Sequence, residues 1–293
     1  MGELLTEGEQ WSIFHGDCIP HMLEDMPSKS VDFAVFSPPF PSMYAYTDSD
    51  SDLGNVDQLG AESKVHFGYF FSGLKRVLNP GRVAAVHCMQ IPRMKRMGGQ
   101  GLFDFRGLLI RLAERAGLIW EYEWIVPKNP QSQAIRTKSR ELQFVGLETD
   151  RANSRGALPD HILKFRAPGE NALAINDKGQ VSREQWIAFA EAAWYGIRET
   201  DTLNTIKSEN DTKHICPLQL PVIDRLVRLF SREGETVFSP FAGIGSEGYV
   251  SLKLGRRFYG CELKDEYHQQ AVQNLSKADC DRSQQLSLFG NVA

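Results

Sequence analysis

Short apolar runs alternate with amphipathic segments over the first and the last third of this chain. In the first third, strand-like runs cover residues 11–15, 31–36, 82–88 and 120–126, and helical periodicity covers residues 69–78 and 105–117. The last third repeats the alternation, with helices at 219–230, 247–254 and 267–278 and strands at 236–238 and 257–261. Such alternation predicts an α/β fold whose sheet is largely parallel.

The middle of the chain breaks this pattern. Over residues 127–212 turn formers and basic residues replace the periodicity, apart from one predicted helix at 183–195. We therefore expect an insertion at 127–212 between two halves of one domain, residues 1–126 and 213–280. The last residues, 281–293, are mostly polar and predict a flexible tail.

Composition narrows the class of protein. With 293 residues and 42% hydrophobic content, the chain has enough apolar surface for a full core. No apolar run reaches the roughly 18 residues of a membrane span, and no secretory leader is evident, so we expect a cytoplasmic protein without a membrane partner. The five cysteines lie apart from one another and from any histidine cluster, so neither a disulfide framework nor a metal site is indicated.

Charge is unevenly distributed along the chain. The net charge is -4, yet residues 127–166 hold eight Lys or Arg against four acidic residues. Within this segment the candidates for contact with nucleic acid are Lys128, Arg136, Lys138 and Arg140. The alternative is a solvated loop with ordinary surface charge.

The turn Ser37-Pro38-Pro39-Phe40 directly follows the strand predicted at 31–36. It therefore lies at the carboxyl end of a strand, where open α/β sheets bind their ligands. Two consecutive prolines stiffen the turn, which offers carbonyl acceptors, one hydroxyl and one aromatic face. These groups suit a flat base with an exocyclic amine, although a proline-rich strand exit with a core phenylalanine would have the same sequence.

A glycine fingerprint follows the strand predicted at 236–238. Gly243, Gly245 and Gly248 have the spacing G-x-G-x-x-G and open a predicted helix, and Glu262 ends the next strand. Glycines let a ligand approach the backbone, and an acid at this position accepts hydrogen bonds from ribose hydroxyls. The combination favours a nucleoside cofactor, but it does not distinguish a dinucleotide from S-adenosylmethionine.

Five motifs occur along the chain in a characteristic order. They are Gly16-Asp17-Cys18, Ser37-Pro38-Pro39-Phe40, Lys213-His214-Ile215-Cys216-Pro217, the loop from Phe238 to Gly248, and Gly260-Cys261-Glu262-Leu263. In content and order they resemble the beta group of bacterial and phage DNA amino-methyltransferases. The resemblance implies a Rossmann-like, mostly parallel methyltransferase sheet with helices on both faces, an inserted target-recognition region, and S-adenosylmethionine as cofactor.

The resemblance also implies a role for individual residues. Those expected to bind the cofactor are Asp17, His214, Pro217, Ser239, Phe241, Gly243, Gly245 and Glu262. At the catalytic turn, Ser37 and the Pro38 carbonyl would hold the amine of a base flipped out of double-stranded DNA, and Phe40 would stack on it. For Asp17 a helix cap, and for His214 an ordinary loop histidine, are the competing interpretations.

The resemblance further bears on the target base. A serine in the first position of the turn favours the N4 amine of cytosine, whereas aspartate is usual for the N6 amine of adenine, which remains the alternative. Functions of other classes are a nucleotide-dependent oxidoreductase, which leaves the proline turn unexplained, and a catalytically silent DNA- or clamp-binding module.

A second short motif lies in the predicted tail. Gln285-Leu286-Ser287-Leu288-Phe289 resembles the pentapeptide with which bacterial proteins bind the sliding clamp, and the expected contacts are Gln285, Leu286, Leu288 and Phe289. An anchor leucine followed by a Leu-Phe pair suits an apolar groove. The competing interpretation is a tail that folds back onto the protein itself.

Overall fold

The computed structural model describes residues 4–41, 53, 61–93, 101–137, 142, 148, 150–176, 179–203 and 218–290. The strands are β1 Leu4–Glu7, β2 Trp11–His15, β3 Val31–Phe36, β4 Leu78–Met89, β5 Ile91–Pro92, β6 Leu102–Phe103, β7 Ile119–Val126, β8 Asp160–Arg166, β9 Thr236–Ser239 and β10 Arg257–Glu262. The helices are α1 Cys18–Pro20, α2 Ala61–Val77, α3 Phe105–Arg115, α4 Pro130–Thr137, α5 Arg183–Phe189, α6 Leu220–Phe230, α7 Ser246–Lys253 and α8 Asp265–Gly290. A π-helical turn, His21–Asp25, continues α1, and a 3₁₀ turn covers Arg151–Asn153.

Eight strands form the central sheet in the order β1-β2-β10-β9-β3-β4-β8-β7. The five strands from β2 to β4 in this order run parallel, and β1, β8 and β7 pair antiparallel at the two edges. The expected mostly parallel sheet is therefore confirmed. Strands β5 and β6 form a separate two-stranded ribbon.

Helices cover both faces of the sheet, as expected. On one face, Phe70 of α2 and Leu109 of α3 pack in one buried cluster with Phe36. On the other face, Leu226 of α6 packs in a cluster with Phe33. Consecutive residues of β3 point alternately to the two faces. Because both faces are covered, the strand is apolar at every position except Asp32.

At the centre of the sheet, the connections that leave two neighbouring strands run toward opposite edges of the sheet. From β3 the chain continues outward to β4, and from β9 it continues outward in the opposite direction to β10, while β3 and β9 themselves are parallel neighbours. A crevice forms beyond the carboxyl ends of two such strands, because the loops that follow them turn to opposite sides. The segments after β3 and β9 are the Ser-Pro-Pro-Phe turn and the glycine loop.

The predicted insertion at 127–212 contains part of the central sheet. Strand β8 lies between β4 and β7 and pairs with both. The sequence pattern did not predict this strand, because polar residues interrupt its apolar run. His161, Lys164 and Arg166 are partly buried, whereas Ile162, Leu163 and Phe165 are fully buried. The helix predicted at 183–195 begins as expected, with Ser182 as its cap, but ends at Phe189.

The last helix is longer than predicted. Helix α8 continues to Gly290, so residues 281–290 are helical and do not form the start of an extended tail. The sequence explains the difference, because it has no glycine or proline between the predicted end at residue 278 and Gly290. None of the helices in the described ranges is long and apolar enough to cross a lipid bilayer.

Candidate active site and cofactor loop

The Ser-Pro-Pro-Phe turn leaves the sheet at the carboxyl end of β3. Ser37 is half-buried, and its Oγ lies 2.9 Å from Nδ1 of His87 on the neighbouring strand β4. The ring of Phe40 is 9% exposed and packs against Phe105, with ring centroids 5.7 Å apart, and edge-on to His87. The turn is thus fixed from beneath by a hydrogen bond and by aromatic packing. Stacking of Phe40 on a base stays a prediction.

The glycine loop turns sharply between β9 and α7. Gly243 and Gly245 have φ values of 53° and 83°, a region that side chains disfavour. A Cβ atom at Gly243 would meet nothing within 4 Å, so the outer side of the loop is open, whereas at Gly248 it would lie 2.3 Å from Leu275. Gly243 therefore leaves an open cradle, whereas Gly245 and Gly248 allow the loop and α7 to pack closely against α8.

Glu262 connects the glycine loop to the end of β10. Its Oε2 accepts a 2.8 Å hydrogen bond from the main-chain N–H of Gly243. Its Oε1 accepts a hydrogen bond from the main-chain N–H of Lys264. The register of β2 and β10 pairs His15 with Glu262, so the segment after β2 lies beside the acid. The sheet therefore brings together Glu262, the glycine loop and the Gly16-Asp17 segment, which the resemblance assigns to the cofactor.

Asp17 serves as a helix cap. Its Oδ1 accepts a 2.8 Å hydrogen bond from the main-chain N–H of Ile19 at the start of α1. The competing interpretation from the sequence is thus realised in the structure. The capping hydrogen bond occupies Oδ1 of Asp17. A contact between Asp17 and the adenine of the cofactor stays a prediction.

The residues around the loop fit S-adenosylmethionine. Ser239 is fully buried at the end of β9, and its Oγ has no hydrogen-bond partner among the described residues. Helix α7 follows its N-cap Gly245, and its N-terminal end offers main-chain N–H groups and a helix dipole that favour a carboxylate. Donors, an open cradle and an acid on the adjacent strand are what an amino-acid nucleoside requires.

Phe241 has a structural position within this loop. Its ring packs against Phe70 and Phe36, with centroid separations of 5.0 and 5.9 Å. Phe36 directly precedes Ser37, so Phe241 couples the position of the glycine loop to that of the catalytic turn. A direct contact of Phe241 with the cofactor is not required for this role and stays a prediction.

A second acid, Glu247, is buried at the start of α7. The side chain is 4% exposed, and burial raises its pKa to about 8. Nearby Glu262 acts in the same direction, since two like charges disfavour each other. Glu247 is therefore mostly protonated at neutral pH. No sequence pattern indicated this, because an acid in the first turn of a helix is ordinarily exposed.

Some predicted site residues lie outside the part of the chain that the structure describes. This applies to His214 and Pro217 of the cofactor set and to Lys138 and Arg140 of the DNA set. The backbone of Arg136 lies in α4, and that of Gln285, Leu286, Leu288 and Phe289 lies in α8, but the description does not include their side chains. Their assigned roles stay predictions.

Lys128 does not have the exposed position expected of a phosphate-binding residue. Its side chain is 10% exposed, and its Nζ lies 2.7 Å from Oδ1 of the buried Asp160. An ammonium group held by a buried carboxylate is poorly placed to neutralise a DNA phosphate, so this expectation is corrected. Lys164 and Arg166 both pair with Glu121, which further reduces the free positive charge of the basic segment.

His87 and Asp160 are site residues that the sequence reasoning missed. Nε2 of His87 lies 3.3 Å from Oδ2 of Asp160, on the side of the imidazole opposite Ser37. Burial would raise the pKa of Asp160, but His87 and Lys128 outweigh it and lower the pKa to about 2. The only available signal was a histidine at the end of a predicted strand, and its buried partner was hidden within the apparent insertion.

The arrangement of these parts defines the class of protein. A mostly parallel sheet with a glycine loop after β9, an acid after β10 and a Ser-Pro-Pro-Phe turn after β3 is the fold of an S-adenosylmethionine-dependent methyltransferase. A family model described as DNA methylase, covering N6 and N4 methyltransferases, matches residues 31–273. The chain belongs to this family, and the family resemblance read from its motifs is confirmed.

Individual relatives support the same assignment. The chain is 26% identical to the type II methyltransferase M.BglI of Bacillus subtilis over 181 residues, which cover 61% of this chain and 45% of the relative. It is 24% identical to M.BamHI of Bacillus amyloliquefaciens over 259 residues, 86% of this chain and 54% of the relative. The chain thus spans about half the length of these curated relatives.

Two solved structures share the fold. A Thermus thermophilus protein described as a DNA modification methylase, in complex with S-adenosyl-L-methionine, superposes with a TM-score of 0.66 at 19% identity and covers 90% of this chain and 92% of its own. The cytosine-N4-specific PvuII DNA methyltransferase superposes with a TM-score of 0.62 at 16% identity, covering 95% and 93%. At 19% and 16% sequence identity, these superpositions show a shared fold alone.

Proposed function

We propose that the protein transfers a methyl group from S-adenosylmethionine to the exocyclic N4 amine of cytosine at a specific site in double-stranded DNA. The observation that carries this proposal is the adjacency of β3 and β9, because it brings the ends of the strands before Ser37 and Gly243 side by side. A turn that binds an amine and a loop that binds the methyl donor then face the same crevice.

The cofactor site is assigned to the residues around the glycine loop. Gly243 and Gly245 receive the methionine part, Glu262 accepts hydrogen bonds from the ribose, and Asp17 lies toward the adenine. When bound, S-adenosylmethionine supplies a methyl group on a positively charged sulfur, which is open to attack by a nitrogen lone pair. Ser239, Phe241, His214 and Pro217 complete the proposed set.

The catalytic turn acts on the nucleophile. An exocyclic amine is weakly nucleophilic because its lone pair is delocalised into the ring. Acceptors at the Ser37 hydroxyl and the Pro38 carbonyl hold the amine hydrogens and favour a pyramidal nitrogen, whose lone pair is then available. Pro39 keeps the turn stiff, and Phe40 stacks on the flipped base.

Cytosine is proposed as the target base because serine stands first in the turn. A hydroxyl and a carbonyl suffice for a donor amine, and adenine N6 presents the same type of group. Adenine is therefore the alternative outcome of the test below.

DNA contact is proposed for the segment around α4. Arg136, Lys138 and Arg140 remain the candidate phosphate or base contacts, while Lys128 is assigned to the protein interior. Clamp binding through Gln285, Leu286, Leu288 and Phe289 also remains a proposal. Since their backbone lies in α8, this contact requires either a helical binding mode or local unwinding of the last turns.

The test uses a host that lacks DNA methylation. Expression of the full chain there, followed by single-molecule sequencing that detects modified bases, should reveal N4-methylcytosine at one recurrent sequence. The Ser37→Ala variant should modify far fewer of these sites, and Ser30→Ala, at the opposite end of β3, serves as the matched control. Recurrent N6-methyladenine would replace cytosine by adenine, and unmodified DNA with a folded, cofactor-binding wild-type protein would contradict the proposal.

A further inference from the structure

A line of polar side chains leads from the catalytic turn into the protein interior. Ser37 Oγ lies 2.9 Å from Nδ1 of His87, and Nε2 of His87 lies 3.3 Å from Oδ2 of Asp160. The other oxygen of Asp160 lies 2.7 Å from Nζ of Lys128. The side chains of His87 and Asp160 are 11% and 2% exposed, so the line is fixed by its surroundings.

The sheet explains why these residues meet. Strand β4 is the parallel neighbour of β3, which places His87 beside the exit to Ser37. Strand β8 pairs antiparallel with β4, with Asp160 opposite Met89 and Ile162 opposite His87. The carboxylate thus enters from the far side of the imidazole. Lys128 lies two residues after the end of β7, the strand next to β8.

The carboxylate of Asp160 faces one nitrogen of the imidazole. Their contact is electrostatic, because Nε2 and Oδ2 are 3.3 Å apart without hydrogen-bond geometry. A carboxylate is an acceptor only, so it favours a neutral ring that carries its proton on Nε2 of His87. In the neutral ring Nδ1 then has a lone pair, and the hydroxyl of Ser37 donates its hydrogen to it. The lone pairs of Ser37 Oγ are left to face the crevice.

On the basis of the proposed function, we propose that His87 is a positioning residue, which orients the hydroxyl of Ser37 as an acceptor for the amine of the target base. An exocyclic amine offers N–H donors, so a hydroxyl hydrogen pointing at it would be repulsive. The array of His87, Asp160 and Lys128 prevents that orientation. His87 acts through Ser37 and does not itself contact the base.

The first test concerns the imidazole alone and needs no cofactor. Nitrogen NMR of the full chain with ¹⁵N-labelled histidine reports the tautomer of each ring, and His87→Asn identifies the resonance of His87. We expect the neutral form of the ring to carry its proton on Nε2 and to be coupled to Ser37, so that Ser37→Ala shifts the Nδ1 resonance. A neutral ring with its proton on Nδ1 would overturn the proposal whatever the protein methylates.

The second test is a double-mutant cycle in single-turnover methyl transfer. His87→Ala should lower the rate about 10-fold or more, as expected when a positioned polar group is lost, with unchanged affinity for S-adenosylmethionine. His87→Asn, whose amide oxygen can replace Nδ1 as an acceptor, should recover part of the rate. In the Ser37→Ala background, His87→Ala should have no further effect.

The outcomes separate this proposal from the proposed function. His161→Asn is the matched control, a partly buried histidine on β8 that pairs with Glu123. Rate losses in His87→Ala that add fully to those of Ser37→Ala would overturn the positioning role, while methylation by the wild-type protein would leave the proposed function intact. If the wild-type protein methylates no DNA base, both proposals fail.

Discussion

The main-chain N–H of Gly243 donates a 2.8 Å hydrogen bond to the carboxylate of Glu262. This bond joins the loop after β9 to the end of β10, so the acid shapes the glycine cradle as well as facing it. Removing the carboxylate should therefore both delete a proposed ribose contact and loosen the loop that receives the rest of the cofactor.

Glu262→Ala should weaken the binding of S-adenosylmethionine. A hydrogen bond to a charged group contributes about 1.5–3 kcal/mol, which corresponds to a Kd raised about 10- to 100-fold. Glu262→Gln, which retains one acceptor, should show a smaller loss. Isothermal titration calorimetry measures both, with the exposed Glu266→Ala on α8 as control. Equal affinities for Glu262→Ala and wild type would refute the ribose assignment.

Phe40 should contribute to stability as well as to turnover. Since its ring is 9% exposed, Phe40→Ala leaves a cavity and should lower the free energy of unfolding by about 3–5 kcal/mol. Phe40→Leu should destabilise less. Urea unfolding measures this, and a turnover loss in a well-folded Phe40→Leu protein would support stacking on the base. Wild-type turnover in that variant would indicate that the ring is only a core residue.

Glu247 should make stability depend on pH. The pKa of Glu247 is about 8 in the folded protein, whereas the pKa of a glutamate in an unfolded chain is about 4.3. Between these two pKa values the unfolded chain has released the proton and the folded protein retains it. The contribution of Glu247 to the free energy of unfolding is therefore complete at low pH and is lost as the pH rises toward 8, at about 1.4 kcal/mol per pH unit. Glu247→Gln should remove the slope.

The Glu247 prediction is checked by urea unfolding of both proteins at pH 6, 7 and 8. Glu266→Gln, which changes an exposed acid on the next helix, should retain the wild-type slope. Parallel curves for wild type and Glu247→Gln would mean that the buried carboxyl is already ionised at pH 6.

Lys128 and Arg136 should differ in their effect on DNA binding. Lys128→Met breaks a buried ion pair and should cost about 3–5 kcal/mol of stability, because Asp160 is left uncompensated. Arg136→Ala should leave stability nearly unchanged and reduce the slope of log affinity against log salt by about 1. Fluorescence anisotropy across a salt series distinguishes them. A reduced slope in a folded Lys128→Met protein would restore Lys128 to the DNA interface.

The clamp motif should act through its apolar side chains. Leu288→Ala with Phe289→Ala should abolish binding of the full chain to a bacterial sliding clamp, whereas Ser287→Ala, within the same five residues, should not. Anisotropy with a labelled clamp measures this. Binding that survives the double substitution, or is absent in the wild-type protein, would remove the motif from consideration.

The sequence predicted the central strands well, and the reason is physical. Strands β2 and β3 have their predicted bounds because each is a mostly apolar run bounded by turn formers or a change in pattern. Strand β8 was not predicted, because Lys164 and Arg166 interrupt its apolar pattern. In the structure both form ion pairs with Glu121 on β7, and a pairing between strands is not visible in a local sequence pattern.

The site was predictable to a different degree. Ser37, Gly243 and Glu262 stand in short motifs whose meaning depends on local order along the chain. His87 and Asp160 become site residues only through the pairing of β4 with β8, and burial of Glu247 depends on the packing of α7. Residues whose role depends on contacts across the sheet could not be found from sequence spacing.

The junction of β3 and β9 also has a consequence for how the protein acquires its site. The main-chain N–H of Thr236 donates to Oδ2 of Asp32, two residues separated by 204 positions along the chain. Closing so long a loop is slow compared with forming local helices, so the pairing should come late in folding. During synthesis, the Ser-Pro-Pro-Phe turn leaves the ribosome long before β9 exists. A nascent chain interrupted before Thr236 would therefore have the amine-binding turn but no place for a methyl donor.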